Sequence, residues 1–344
     1  MRSLLVSFLI LCLVAACIDR VDLPIRAEEP RLVIEGQITN DAPPYAVRLT
    51  YTAPFGLTDA ERPATLVANN AQVSIADDRG RTVRFVATAP GTYQTNDATF
   101  RGEAGRTYSL TVVLAGGKRY VTKPEQMPDV PPIDSISAKL SQTTNFNTPY
   151  RYQYSISTSD PANQKNYYRW TAYGLTVRKS TGVPCCFQCP AICFDNCYTT
   201  EATTEVNVFS DAAINGNPIQ NLLVFQLPVY ARWPQFVEVQ QYGITQANYQ
   251  FWKLYEQQRA RTGSIFDPLP ASVVGNLVNA NDASDQARGY FAVASVSRKR
   301  IRNEAREAIG STAVFGFLAS QPVPPGDCRR TYGPVPVTLP VDWP

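Results

Sequence analysis

The sequence predicts a mainly β protein, in which an N-terminal β-sandwich precedes a second β-rich domain with one long helix and a Cys-rich loop. Two observations favour this class: short runs alternate apolar with polar residues, and turn-forming residues separate these runs. A third observation is a single segment without Gly or Pro, which predicts the helix. The length of 344 residues suggests about two domains.

Residues 1–16 have the features of a secretory signal. Arg2 precedes an apolar run from Leu4 to Ala16, which is too short to cross a bilayer and is typical of a cleaved segment. The run ends in Val14-Ala15-Ala16-Cys17, which resembles the bacterial lipobox. We therefore predict Cys17 as the lipidated N-terminus of the mature protein, whose acyl chains hold the folded body at a membrane. An ordinary secretory signal followed by a coincidental cysteine is the alternative.

The next two segments are a tether at residues 17–30 and a β-sandwich at residues 31–123. The tether is charged and punctuated by proline. The sandwich strands are predicted at 32–38, 46–51, 71–75, 82–86, 91–93, 108–113 and 119–122. Gly116-Gly117 suits a tight hairpin turn, because glycine adopts positive φ without a Cβ clash.

The spacing of several residues in this sandwich resembles the carboxypeptidase-regulatory type of Ig-like module. The resemblance rests on Ala71, Val73, Ile75, Asp78, Gly80, Gly91, Tyr93, Gly105, Tyr108 and Leu110. It implies an Ig-like fold and a spacer or docking role. Asp77 and Asp78 have the chemistry of calcium ligands, but aspartate before Gly80 is also what a turn requires, and we favour the turn.

Residues 124–134 carry four prolines and predict a semi-rigid linker. The second domain is then residues 135–344, with strands predicted at 152–156, 166–170, 175–177, 222–225, 236–239 and 290–296. Its helix is predicted at 245–262, between an N-cap and Gly263. Phe251, Trp252 and Tyr255 share one face of this helix; we favour a core-facing role for them over a binding surface.

Six cysteines remain in the predicted mature chain after Cys17: Cys185, Cys186, Cys189, Cys193, Cys197 and Cys328. An even number in an exported chain predicts three disulfides. Five of the six define a Cys-rich loop at residues 185–197, and either Cys185 or Cys186 is expected to reach Cys328. Zinc is the alternative, since Cys186-x-x-Cys189 has zinc-knuckle spacing. The loop is also a candidate contact surface, with Phe187, Ile192, Phe194 and Tyr198 as exposed apolar residues.

Composition excludes several kinds of chemistry. The chain has no histidine, so Ser-His-Asp and Cys-His catalysis and histidine-based zinc sites are absent. No nucleophile or phosphate-loop motif is present. We identify no catalytic, cofactor-binding or metal-binding residue, and we expect no cofactor. The net charge of +3 does not point to nucleic acid. The run Arg298-Lys299-Arg300 has the chemistry of a site for an acidic partner, but a solvated strand edge is favoured.

Several segments together resemble the Bacteroidetes-type outer-membrane lipoproteins labelled domain of unknown function 4249. They are residues 32–36, 160–161, 166–170, 266–270, 275–276, 289–291 and 328–343. The family tail usually carries two cysteines two residues apart, whereas Arg329 and Arg330 follow Cys328 here. The resemblance implies no reaction. It implies a surface lipoprotein that partners a TonB-dependent receptor, because members are typically encoded near such receptors.

The predicted function is therefore a lipid-anchored binding or accessory protein of the outer membrane, on its periplasmic face or at the cell surface. We expect it to partner a TonB-dependent transporter, and its ligand is open. Two alternatives remain: a glycoside hydrolase that uses two carboxylates, whose pairing is invisible in sequence, and a purely structural or adhesive surface protein.

Overall fold

A computed structural model of the chain describes residues 29–53, 66–162, 164–188, 190–260 and 273–339. Within these residues strands predominate and helices are few, so the predicted mainly β fold class is confirmed. The predicted signal segment and Cys17 lie outside the described residues. No described helix has the length and apolar character that crossing a membrane requires.

The described residues form twenty-one strands and four α-helices. The strands are β1 (Leu32–Ile38), β2 (Ala46–Tyr51), β3 (Gln72–Asp77), β4 (Thr82–Ala89), β5 (Thr92–Thr95), β6 (Thr107–Val113), β7 (Arg119–Thr122), β8 (Glu125–Gln126), β9 (Ile133–Gln142), β10 (Tyr150–Thr158), β11 (Tyr167–Lys179), β12 (Val183–Pro184), β13 (Ile192–Cys193), β14 (Asn196–Ala202), β15 (Asn207–Ser210), β16 (Ile219–Pro228), β17 (Gln235–Gly243), β18 (Leu277–Asn279), β19 (Asp282–Gln286), β20 (Arg288–Val293) and β21 (Ser295–Asn303). The helices are α1 (Gln246–Arg259), α2 (Arg306–Gly310), α3 (Thr312–Ser320) and α4 (Cys328–Tyr332).

The first sheet has the strand order β19-β18-β7-β6-β3-β4-β5-β2-β1-β20, and β8 adds to β6. Its end strands β19 and β20 are separated in sequence by Ala287 alone. The sheet must therefore curl until its two ends meet. Alternate residues of β6, from Tyr108 through Leu110 to Val112, are buried in the core that the sheet encloses, as expected for strands with one apolar face.

This sheet differs from the predicted domain division at both ends of the linker. Strands β18–β20 come from the predicted second domain, and β20 pairs in parallel with β1. In the predicted linker, β8 pairs with β6 and Met127 is buried in the first core. Pairing between strands so far apart in sequence leaves no local pattern. The sequence-based division therefore placed residues 277–293 in the second domain, with the segments next to them in the chain.

The second core lies among two further sheets: the second sheet has the strand order β14-β11-β17-β21, and the third has the order β16-β10-β9. Its largest fully buried side chains are aromatic: Tyr152, Tyr154, Tyr168 and Trp170. Their polar atoms are hydrogen-bonded. The Trp170 indole donates to Gln241 at 2.8 Å, and the Tyr168 hydroxyl donates to Asp160 at 2.6 Å. Burial of these rings therefore stabilises the core without an unpaired polar atom on either ring.

One predicted strand, 290–296, is two strands in two sheets. β20 ends at Val293 in the first sheet and β21 begins at Ser295 in the second. The intervening Ala294 donates its backbone N–H to Ile38 of β1. Because a single residue separates the two strands, the first and second sheets are tied closely together at this point.

The predicted helix is present as α1, which begins after Thr245. The Thr245 hydroxyl accepts the backbone N–H of Asn248, as expected of an N-cap. The helix ends at Arg259, earlier than predicted, and the expected stop at Gly263 lies outside the described residues. The tail helices α2, α3 and α4 were not predicted; all are short, and Gly316 interrupts the apolar segment of α3.

The structure describes two disulfides, Cys185–Cys193 and Cys197–Cys328. The expectation that Cys185 or Cys186 reaches Cys328 is wrong, because Cys197 fills that role. The reason is register: β14 pairs with β11 so that Cys197 lies opposite Arg178, next to the start of α4. Cys186 is disulfide-bonded as well, while Cys189 lies outside the described residues. All five cysteines in the described part of the chain are therefore disulfide-bonded.

Candidate ligand pocket

A cavity of about 490 Å³ lies where helix α1 crosses the first and second sheets. Strands β1 and β20 of the first sheet supply one wall, and Arg169 of β11 joins it from the second sheet. Helix α1 supplies the opposite wall. The volume falls in the range of pockets that take small molecules, so this cavity is the candidate functional site.

The aromatic face of α1 lines this cavity. Phe251, Trp252 and Tyr255 belong to neither large core, and Tyr255 is 42% exposed. The ring of Phe251 lies 5.0 Å from that of Tyr290 in β20, between centroids. The favoured core-facing role is therefore wrong for this face, which lines a cavity. Helical spacing groups these residues on one face, but it does not say whether that face meets a core or a cavity.

Arg169 is the charged centre of the pocket. Its guanidinium carbon lies 4.1 Å from the centroid of the Trp252 ring and 5.8 Å from that of Tyr242. Burial lowers its pKa from the ordinary value, yet arginine remains protonated in proteins. Stacking on aromatic rings fixes the orientation of the cation.

No carboxylate or carbonyl in the described chain accepts a hydrogen bond from the Arg169 side chain. The arginines of β21 behave differently: Arg298 and Arg300 both pair with the buried Glu238, at 3.4 and 2.7 Å. That run therefore lies on an edge strand, as favoured from the sequence, but its arginines pair with Glu238 and are not simply solvated. The Arg169 guanidinium is half-buried and keeps its donors free for an acceptor from outside the described chain. Its arrangement suits an anion brought in by a ligand.

The carboxylate of Glu125 links the walls of the pocket through hydrogen bonds. One carboxylate oxygen accepts the Tyr290 hydroxyl at 2.5 Å and the Asn276 amide at 3.1 Å. The other accepts the hydroxyl of Thr245, the N-cap of α1, at 2.8 Å. Burial, followed by the charge of Glu125, raises the pKa of Tyr290 above its ordinary value. One carboxylate thus links β8, β20 and the start of α1, which fixes the helix over the sheet.

The β1–β20 wall depends on a close backbone approach at Gly289. This residue has a φ of 77°, and a Cβ at its position would overlap the backbone oxygen of Ile34. Asn276 adds a second link, since its side chain accepts the backbone N–H of Phe291 and donates to the Phe291 carbonyl. Only glycine fits at position 289, because both the dihedral and the space exclude a side chain.

Four of the seven segments that carry the family resemblance meet at this pocket. Residues 32–36 form its β1 wall, 166–170 contribute Arg169, 289–291 form its β20 wall, and 275–276 brace that wall. Residues 266–270 lie outside the described part of the chain. Because these blocks lie far apart in sequence, only the folded arrangement shows that they meet.

Other predicted positions have structural partners. Asp77 accepts the backbone N–H groups of Arg79 and Arg81, and Asp78 pairs with Arg106 at 2.5 Å. These contacts make a turn, as favoured over calcium. In the Cys-rich loop, Phe187 and Ile192 are exposed, whereas Phe194 stacks beneath Arg329 at 4.0 Å.

A further cavity, of about 1040 Å³, is lined in part by Asp282 and Asp285. Hydrogen bonds from Ser284 lower the pKa of Asp282, and one from Asn279 is the main cause of the lowered pKa of Asp285. A glycosidase general acid needs a raised pKa. The two carboxylates are shifted in the opposite direction, so this cavity does not favour the hydrolase alternative.

In a comparison with known protein families, one family matches most of the chain. The family described as Domain of unknown function (DUF4249) matches residues 18–300. That range includes β1, β11, α1 and β20, the four elements that enclose the pocket. A search of curated proteins found no match to the chain.

Proposed function

The chain belongs to the family of domain of unknown function 4249, and from this premise we propose that it is a lipid-anchored binding protein that serves a transporter of the outer membrane. The observation that carries the binding role is Arg169, a cation stacked on Trp252 in a pocket and without an acceptor in the described chain. A ligand completes this site by supplying an anion.

The pocket favours a ligand with two parts. A carboxylate or phosphate group would accept hydrogen bonds from Arg169, whose planar guanidinium suits two-point contact with such groups. An apolar or flat body would pack against Phe251 and Trp252, whose rings are only partly buried. The pocket lining contains two arginines, Arg169 and Arg288, and one carboxylate, the exposed Glu35. Its net charge is therefore positive, which favours an anion.

Replacing Arg169 with methionine should abolish the preference for anionic ligands. We expect the full chain to bind 1-naphthoate more tightly than neutral 1-naphthamide in isothermal titration calorimetry. We expect Arg169→Met to weaken naphthoate binding about tenfold or more while naphthamide binding changes little, because a hydrogen bond to a charged group is worth about 1.5–3 kcal/mol.

Arg84→Met is the matched control for this experiment. Arg84 is exposed on β4 and does not line the pocket, so its replacement removes the same charge from elsewhere. Equal affinities of the unmodified chain for the acid and the amide, or equal losses in both variants, would contradict the assignment of Arg169.

The lipid anchor and the transporter partner rest on the sequence. The box that ends at Cys17 is the basis for acylation, and the family resemblance suggests a TonB-dependent receptor as partner. Acyl chains would hold the folded body at the outer membrane. There the pocket would bind small anionic molecules that the transporter carries.

A crosslinking experiment tests both parts. In cells that express the full chain, we expect the protein to sediment with outer membranes and to crosslink to an outer-membrane receptor identifiable by mass spectrometry. The Cys17→Ser variant should appear in the soluble fraction, because it has no thiol to acylate. Membrane retention of the serine variant would rule out the anchor, and crosslinks to no receptor would rule out the transporter role.

A further inference from the structure

Three cations are stacked on aromatic rings around a second cavity, the cation–aromatic cleft. Arg178 lies between Tyr230 and Tyr332, with its guanidinium carbon 3.6 and 4.9 Å from the two ring centroids. The Lys179 amine lies 4.9 Å from the centroid of Trp233. The guanidinium carbon of Arg232 lies 5.1 Å from the centroid of Phe315. The cleft has a volume of about 470 Å³.

None of these three cations forms a salt bridge within the described chain. The carboxylate of Glu201 is engaged by the Tyr230 hydroxyl at 2.7 Å. Arg232 donates to the Ile309 carbonyl at 3.0 Å, but its Nε is buried without a hydrogen-bond partner. The rings therefore orient the cations without neutralising them, and three positive charges converge on one cleft.

The cleft also presents apolar surface to solvent. Trp233 is 42% exposed, Phe315 55% and Val323 57%. Large aromatic side chains at a concave, cationic surface are typical of binding hot spots. A ligand that matches this surface needs several negative charges and apolar groups between them.

The disulfide Cys197–Cys328 makes this surface rigid. It fixes α4 against β14, and α4 carries Tyr332. The Tyr332 hydroxyl donates to the backbone carbonyl of Lys179 at 3.2 Å. Arg178 is thus held between one ring from the main fold and one from the tail, and a preformed surface of this kind reduces the entropy lost on binding.

We propose that the cation–aromatic cleft binds an acidic peptide segment of a partner protein. Aspartate or glutamate side chains would pair with Arg178, Lys179 and Arg232, and apolar side chains of the segment would pack on the exposed rings. A flat anionic membrane fits less well, because Arg178 is half-buried between two rings rather than projecting from the surface. The cleft lies about 30 Å of strand from Arg169 along β11, so this interaction is separate from the ligand pocket.

Fluorescence anisotropy with the full chain tests the proposal. The probe is a fluorescein-labelled peptide, Glu-Phe-Glu-Glu-Phe-Glu, and its comparison is the same peptide with glutamine for each glutamate. We expect the acidic peptide to bind at least tenfold more tightly than the glutamine peptide, with an affinity that falls as salt rises. The double variant Arg178→Met/Arg232→Met should weaken binding at least tenfold.

The double variant Arg79→Met/Arg84→Met is the matched control, because it removes two charges from the exposed β3–β4 hairpin. Equal losses of peptide affinity in the two double variants would show that the peptide is attracted only by net charge, and would overturn the proposal. Binding of phosphatidylglycerol vesicles, but not of the acidic peptide, through Arg178 and Arg232 would overturn it in favour of a membrane.

Two further measurements keep the test decisive. Should Arg178→Met/Arg232→Met not fold, Lys179→Met changes only an exposed side chain, and it should still weaken the acidic peptide about threefold. An unchanged affinity in that variant would count against the cleft. Binding of 1-naphthoate by the cleft variants should equal that of the unmodified chain, so failure here is distinguishable from failure of the Arg169 pocket.

Discussion

Replacing Cys197 and Cys328 with alanine is expected to lower the free energy of unfolding by about 5 kcal/mol. The two residues are 131 positions apart in sequence, and a crosslink over so long a loop strongly restricts the unfolded chain. Both side chains are fully buried, so their truncation also leaves space in the packed interior. Urea unfolding of the oxidised proteins, followed by tryptophan fluorescence, measures the difference.

The Cys185→Ala/Cys193→Ala variant is the internal comparison for this prediction. These cysteines are 8 positions apart, so their crosslink should contribute only about 2.5 kcal/mol. The long-range disulfide should also matter more for function, because it holds Tyr332 against Arg178. A loss from removing Cys197–Cys328 that is no larger than the loss from removing Cys185–Cys193 would contradict the loop-closure account.

The sequence was sufficient for features with local causes. Alternation of apolar and polar residues predicted most strands, since one face of each strand is buried. Thr245 was recognisable as the start of α1 because an N-cap acts within its own turn. The pairing of the cysteines had no such local cause: six cysteines allow fifteen pairings, and the register of β14 on β11 decides which thiol meets Cys328.

The pocket depends on contacts between distant segments, and this is why it was not predicted. Glu125 was assigned to a linker, yet it links Tyr290 to the N-cap of α1. One signal was available: side chains alternate across a strand, so Arg169 must face away from its buried neighbours Tyr168 and Trp170. That alternation separates the arginine from the second core, but nothing in the sequence shows that Trp252 lies on the other side.

Replacing Gly289 with alanine should both destabilise the protein and disrupt the pocket. The residue has a φ of 77°, which costs a side-chain-bearing residue about 1–2 kcal/mol. Its new Cβ would also overlap the backbone oxygen of Ile34, forcing β20 away from β1. We expect a total loss of more than about 3 kcal/mol in urea unfolding and at least a tenfold loss of 1-naphthoate affinity, because both strands form one wall of the pocket.

Gly117→Ala separates the two causes of that loss. Gly117 has a similar φ of 83°, but nothing lies within 4 Å of the Cβ that would be added. Its replacement should therefore cost only the dihedral contribution, about 1 kcal/mol, and leave naphthoate binding unchanged. If both variants lost the same stability, the close approach of β1 and β20 would contribute nothing. If Gly289→Ala bound naphthoate normally, the wall that these strands form would not be part of the binding site, and Arg169 would have to act with α1 alone.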